Sequence, residues 1–435
     1  MALDALVDST QLDSDLTSVA NAIRTKGGTS ASLAFPADFV SAINAIPTGG
    51  GTAEAEPSDV NFYDYDGKCL YSYAKADFLQ LDALPSGPSH SGLTFYAWNW
   101  SLTDAKAYVT KYGILEIGAT YKTNDGSTRF YLDIFDNSVL TTAVRCNPSV
   151  SGGVSIDWGD GTSETVSGTS YTNVSHTYSA PGEYVVKVSV SNGTVSFGGG
   201  SSKYVIGGDL TNSTKRKLST IKRIEFGSNV LLETHIFNSF PNLESVILPW
   251  DLTSLGNYSF QGTYSFPCLI FPSGFATLGT TSNDITVDRV ISFPKSLSSG
   301  KYQVKSMTVR HISMPEGCLV ESNNSNAGIE KIIIPDGVAN VSGNAYRNAH
   351  NARYIEVGKD VTSIGATAFM EAPASEIHLR PTSPPSLSNT NAFASWLQDI
   401  AVFYVPYSAD HSVLNAYKTE TNWSTWSTRF QEEPQ

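Results

Sequence analysis

The sequence predicts a mainly β, multidomain protein: an N-terminal helical hairpin, a small mixed α/β module, a β-sandwich and a C-terminal solenoid. Three observations carry that reading. Between residues 224 and 406, nine short apolar strands are each halted by proline or glycine at intervals of 20 to 25 residues, a period that belongs to stacked rungs. From about residue 128 to 190, alternating strands are separated by Gly, Asn and Ser, as in an antiparallel sandwich. Charged residues make up only 16% of the chain while aromatics reach 11%, the profile of a turn-dense β protein. At 435 residues the chain exceeds one ordinary core.

In residues 1–50, Leu12, Leu16, Val19, Ala20 and Ile23 share one helical face. Gly27-Gly28 ends that helix, and Pro36 opens a second carrying Phe39, Val40, Ile43 and Ile46. So short a hairpin buries too little to stand alone. It is expected to dock, as an attachment segment, an oligomerisation hairpin or a cap. Residues 51–58, in the string TGGGTAEAEPS, read as a flexible linker.

Residues 59–126 form the mixed module. FYDYDGKCLYSY predicts two strands around an Asp66-Gly67 turn. Ser101 is placed to cap a helix over Leu102–Tyr112 that Gly113 stops. The string GLTFYAWNW packs Phe95, Tyr96, Trp98 and Trp100 into six residues. Two readings stay open for it: a platform of stacked aromatics for a sugar, or the module's core. Asp64 and Asp66 are a carboxylate pair of the kind that cleaves glycosidic bonds, or turn formers.

Residues 127–196 form the sandwich, with strands in TRFYLDIF, VLTTAV, GVSIDW and EYVVKVSV. Asp157-Trp158-Gly159-Asp160-Gly161-Thr162 makes a tight turn in which glycines permit the bend and Trp158 fills the space between sheets. Asp157 and Asp160 are available either to cap turn amides or to bind calcium, although the dense oxygen series of a calcium loop is missing.

Residues 197–435 form the solenoid and its cap. The stops are Gly227, Pro249, Pro272, Pro294, Pro315, Pro335, Gly358, Pro381 and Pro406. Because strand side chains alternate, two residues of each unit, such as Ile224 with Phe226 or Ile332 with Ile334, face inward together. The residue between each pair faces outward: Glu225, Ile247, Ile270, Ser292, Ser313, Ile333, Glu356, His378 and Tyr404. This ladder is the candidate binding face. Its isoleucines either await a partner or neighbouring domain or reflect the strand preference of the residue.

Several function classes lack support. A formal charge of −13, with Lys215-Arg216-Lys217 as the one basic knot, argues against nucleic acid. No run approaches a membrane span, so membrane insertion is not expected. The N-terminal MALDALVDSTQLDSDL has no basic start before an apolar core, so a secretory signal is not expected. Cys69, Cys146, Cys268 and Cys318 lie far apart and are expected reduced and mostly buried. Seven histidines show no HExxH spacing, and no GxSxG elbow or P-loop appears. Neither enzymatic activity nor a cofactor or metal is expected.

Three resemblances add to this reading. LTSVANAIRTKGGTSASLAFPADFVSAINAIPTGGG, within residues 12–51, resembles an N-terminal module of structural proteins of tailed bacteriophages and prophages. The WGDGT turn followed by His176-Thr177-Tyr178 and Pro181-Gly182-Glu183-Tyr184 resembles the PKD domain, an immunoglobulin-like module that implies spacing or adhesion. Val361-Thr362-Ser363-Ile364-Gly365 with Ala368-Phe369 resembles BspA-like leucine-rich repeats, clearest over residues 329–430. In that resemblance a last strand and a tryptophan-bearing helix cap the solenoid.

Together they imply a virion component such as a tail fibre, baseplate or head fibre protein. It would contact other virion proteins through residues 12–46 and a host surface protein or glycan through the solenoid. A trimer is common for fibres, but no heptad pattern demands one. The alternatives are a bacterial cell-surface adhesin and a glycan-cleaving tail enzyme.

Overall fold

The computed structural model describes residues 57–198, 205–206, 218–237, 240–260, 266–279, 285–305, 308–321 and 327–434. The helical hairpin, nearly all of the linker and the basic knot lie outside the described residues.

The mixed module is a four-stranded sheet in the order β2-β1-β4-β3. It comprises β1 (Val60–Tyr63), β2 (Cys69–Tyr73), helix α1 (Lys75–Leu79), β3 (Leu93–Trp98), helix α2 (Leu102–Tyr112) and β4 (Leu115–Thr123). β1 and β2 pair antiparallel across the expected turn. Ser101 accepts the Asp104 amide, and Gly113 closes α2 in the left-handed conformation at φ 80°, where glycine avoids the Cβ penalty. β4 is buried on both faces. Leu115, Ile117 and Tyr121 enter the module's core, while Glu116, Gly118 and Thr120 alternate to the other side.

The sandwich comprises β5 (Thr128–Ile134), β6 (Thr141–Pro148), β7 (Val154–Asp157), β8 (Ser163–Thr165), β9 (Thr172–Thr177), β10 (Gly182–Val190) and β11 (Val195–Phe197). Trp158 is fully buried. Its ring stacks on His176 at 4.8 Å, and its indole N–H donates to Glu164 at 3.0 Å.

The solenoid begins on the edges of that sandwich. β12 (Ile221–Glu225) pairs antiparallel with β5, and β13 (Val230–Leu232) pairs parallel with β11. The next rungs are β14 (Ser245–Ile247) with β15 (Ser254–Leu255), and β16 (Phe266–Ile270) with β17 (Thr277–Leu278). A looser stretch holds β18 (Ile285–Ser292), β19 (Gly300–Lys305) and β20 (Cys318–Glu321). Regular rungs resume with β21 (Lys331–Ile334), β22 (Asn340–Val341), β23 (Tyr354–Val357), β24 (Ser363–Ile364), β25 (Glu376–Leu379) and β26 (Ser386–Leu387). Helix α3 (Leu397–Ile400), β27 (Val402–Val405), helix α4 (Ser412–Thr419) and β28 (Phe430–Glu432) finish the chain.

Eight of the nine expected strands are present; residues 312–314 are buried but not in a strand. Every inward pair, from Ile224 with Phe226 to Phe403 with Val405, is buried in a core that runs unbroken from Phe130 to Phe430. Each such side chain contributes about 1.5–3 kcal/mol. The sandwich and the solenoid therefore share sheets and a core across the boundary placed at residue 196.

The far end differs in one respect from expectation. The tryptophans sit on a 3-10 turn after α4, not on the helix. Trp423 and Trp426 are fully buried there, and β28 adds a last parallel strand beside β27.

A β-carbon at Gly118 would stand 2.4 Å from Ile270 Cγ2. Gly118→Ala is therefore expected to cost about 1–3 kcal/mol, read as a lower denaturation midpoint and faster proteolysis within residues 57–126. An unchanged midpoint would rule out a close approach of β4 to that rung.

Candidate functional site

The outward ladder is not a free face. Glu225, Ile247, Ile270, Ser292, Ser313, Ile333 and Glu356 are all buried, and His378 and Tyr404 are half-buried. Alternation placed these side chains outward from the solenoid, as expected, but the mixed module lies across the middle of the ladder. Ile247 and Ile333 belong to that module's hydrophobic cluster. Ser292 Oγ donates to the Glu116 carbonyl at 2.7 Å, and Ser313 Oγ accepts the Glu116 amide at 3.1 Å. Serine suits these rungs because a bulkier side chain would hold β4 away. Glu225 is buried instead between Arg129, at 3.4 Å, and Arg223.

The module is held by donors aimed at the rung ends. Asn99 Nδ2 donates to the carbonyls of Phe271 at 3.0 Å and Ser292 at 3.3 Å and to Ser292 Oγ at 2.9 Å, while Asn99 Oδ1 accepts the Gly118 amide. Trp100 Nε1 donates to the Phe293 carbonyl at 2.8 Å, and the Tyr108 hydroxyl to that of Met314 at 3.0 Å. Ion pairs at the rim join Lys111 to Glu316 and Asp336, and Lys295 to Asp104.

The aromatic string accordingly divides. Trp98 and Trp100 are buried and Phe95 is half-buried, so they do not form an open platform; they build and dock the module. Tyr96 alone is exposed, against Trp250 at 4.7 Å with Lys122 over both rings.

The acids of the turns are occupied. Asp157 accepts the Gly159 amide and Asp160 that of Thr162. Bonds from the Thr162 hydroxyl and amide, and from His176, hold the Asp160 carboxyl at about 2. Asp64 is buried and takes bonds from His90, Tyr121 and the Tyr65 amide, and Asp66 accepts the Lys68 amide. Among the described residues no group of three or more His, Cys, Asp or Glu side chains is arranged to hold a metal. The four cysteines are buried thiols.

Among the described residues two surfaces on the late rungs are open. At the uncovered end of the ladder, His378 stacks on Tyr404 at 4.8 Å and meets Tyr354 at 4.9 Å. Arg380 and His378 both bond Glu433, at 2.8 and 2.6 Å. Beside α3, a groove is lined by His350, Met370, Glu371, Asn391 and Trp396 over a floor of Phe393. The sequence reading missed this groove. Its signal was present, because the segment from Phe393 to Phe403 is longer than its equivalents, by two residues against Phe369–Ile377 and by one against Tyr346–Ile355.

Residues 139–196 match the PKD domain family, and residues 215–325 and 320–403 match the BspA type leucine-rich repeat region, in six copies. The chain carries a PKD domain and BspA-type leucine-rich repeats. The repeat match extends into the looser rungs that depart from the pattern. No curated protein matches the chain.

Where the repeats meet the mixed module, Glu116 titrates. Removal from water pushes its carboxyl up to about 7, against bonds from Tyr63 and Asn61 that favour ionisation. A raised carboxyl stabilises the fold fully below its ordinary value of 4.5, and this contribution is lost as pH rises through about 7. Glu116→Gln is thus expected to match wild type at pH 4.5 and to exceed its stability by up to ~3 kcal/mol at pH 8. Thermal unfolding at the two pH values measures the difference.

Proposed function

We propose that this protein is a surface-binding adhesin in the broad sense, with the PKD domain and the repeats forming one stiff body that presents the late rungs. The unbroken core from Phe130 to Phe430 carries this reading. Among the described residues that core is continuous from spacer to late rungs, and the groove and the aromatic stack both lie on rungs beyond the mixed module. That module lies on the flank of the repeats. Both families are suited to extended contact surfaces, in keeping with the quasi-linear build of repeat proteins.

The finer placement is a virion component that attaches through residues 12–46, made in the host cytoplasm. It is supported by the resemblance of residues 12–51 to attachment modules of phage structural proteins. A bacterial cell-surface adhesin fits the PKD and repeat composition equally well. In either setting binding, not catalysis, is the proposed activity.

Labelled full-length chain is expected to bind bacterial or mucosal surfaces saturably. Its detection by mass spectrometry in purified virions supports the virion placement, and detection on envelopes of phage-free cells assigns the cell-surface one. Absence of saturable binding to any such surface would overturn the adhesion reading.

A further inference from the structure

Resting on the adhesion reading, we infer that the groove beside α3 is a saccharide site that takes a neutral pyranose at the end of a glycan. The groove exists because the repeat breaks its own spacing. Tyr346, Phe369 and Phe393 stack at 5.9 and 5.1 Å, so the three rungs meet at these rings although the third is already longer on the way to Phe393. After Phe393 the longer segment, by one residue against Tyr346–Ile355 and by two against Phe369–Ile377, turns outward into α3, and Trp396, which precedes that helix, is left 43% exposed. The space between this bulge and the preceding rung is a cavity of about 390 Å³, within the ~300–1,000 Å³ range of small-ligand pockets.

The lining matches the two-sided chemistry of a sugar. A pyranose has an apolar face of C–H bonds and a rim of hydroxyls, so it needs a flat hydrophobic surface together with mixed donors and acceptors. Trp396 and Met370 supply the first. Glu371, Asn391, His350 and Ser395 supply the second, from both walls of the groove. His350 Nε2 stands 3.9 Å from Glu371 Oε2, too far for a hydrogen bond. The polar wall therefore does not close on itself.

The same wall carries one of the left-handed residues that recur along the repeats. Glu371 is left-handed at φ 72°, in the place that Asn348 holds at φ 64° one rung earlier. Asparagine tolerates that region well, whereas glutamate gains nothing local from it. An unfavourable conformation that carries a carboxylate to the rim of a cavity is the kind of strain that collects at binding sites. The carboxylate also sets the ligand's charge. With no arginine or lysine lining the groove, anionic sugars are repelled and neutral ones favoured.

The test uses full-length protein with cellobiose, maltose, lactose and N,N′-diacetylchitobiose as probes, and N-acetylneuraminic acid as the anionic comparison. Binding is followed by saturation-transfer NMR and titration calorimetry. At least one neutral probe is expected to bind and the anionic one not. Trp396→Ala should weaken binding by about tenfold or more, as loss of an aromatic anchor does. Trp396→Phe should retain most of it, and Glu371→Gln should weaken it without changing the circular dichroism spectrum. If no neutral probe binds, or Trp396→Ala binds as wild type does, the saccharide site is refuted. Surface adhesion of the wild-type chain, measured in parallel, separates the two claims: adhesion without sugar binding removes only the site, whereas loss of both removes the adhesion reading as well.

Discussion

A strand that ends at proline leaves a carbonyl at its last residue while the next position has no N–H to continue the ladder, and such groups must find partners when buried. Three consecutive stops meet this demand from outside the repeats. The carbonyls of Phe271, Phe293 and Met314, each directly before a proline, accept from Asn99, Trp100 and Tyr108. Side chains also reach backbone carbonyls at the far end, where Tyr417 donates to that of Pro381 and Trp423 to that of Pro385. Much of the architecture follows from satisfying the rung ends.

Open sheet edges impose the matching requirement at the two ends of the stack. The first rung meets it by pairing with the PKD sandwich through β5 and β11, and the last by receiving β28. The sandwich is then a terminal cap as well as a domain, which is why two unrelated families share one core. Stiffness is a consequence, because bending the body between them would break paired strands. Among the described residues, the mixed module covers the middle of the outward ladder and leaves His378 and Tyr404 half-buried.

Much of this was legible in the sequence. The inward pairs, the α2 caps, the WGDGT turn and eight of the nine strand stops were read correctly, since each depends on neighbours within a few residues. The aromatic string left two readings open, and the structure decides for the core in Trp98 and Trp100: the indole of Trp100 reaches a carbonyl 193 residues away. The ladder was placed on the correct side of each strand but read as a binding face; for Ile247 and Ile333, where cover by a neighbouring domain was left open, the mixed module is that cover. Ser292 and Ser313, small where the other rungs carry larger side chains, were the local trace of a strand lying over them.

By itself, then, the sequence determined the periodicity, the inward faces and the chain's division into β-rich parts. Side-chain alternation and proline's missing donor are properties of a few consecutive residues. Only the tertiary structure decided which outward face meets water, because that depends on where residues 57–126 settle. Their position rests on contacts such as Gly118 against Ile270 and Glu116 between Ser292 and Ser313. Those contacts join distant segments, and no local pattern records them. The groove beside Trp396 belongs to both levels: the longer segment after Phe393 is written in the chain, and the cavity beside it appears only when the rungs are stacked.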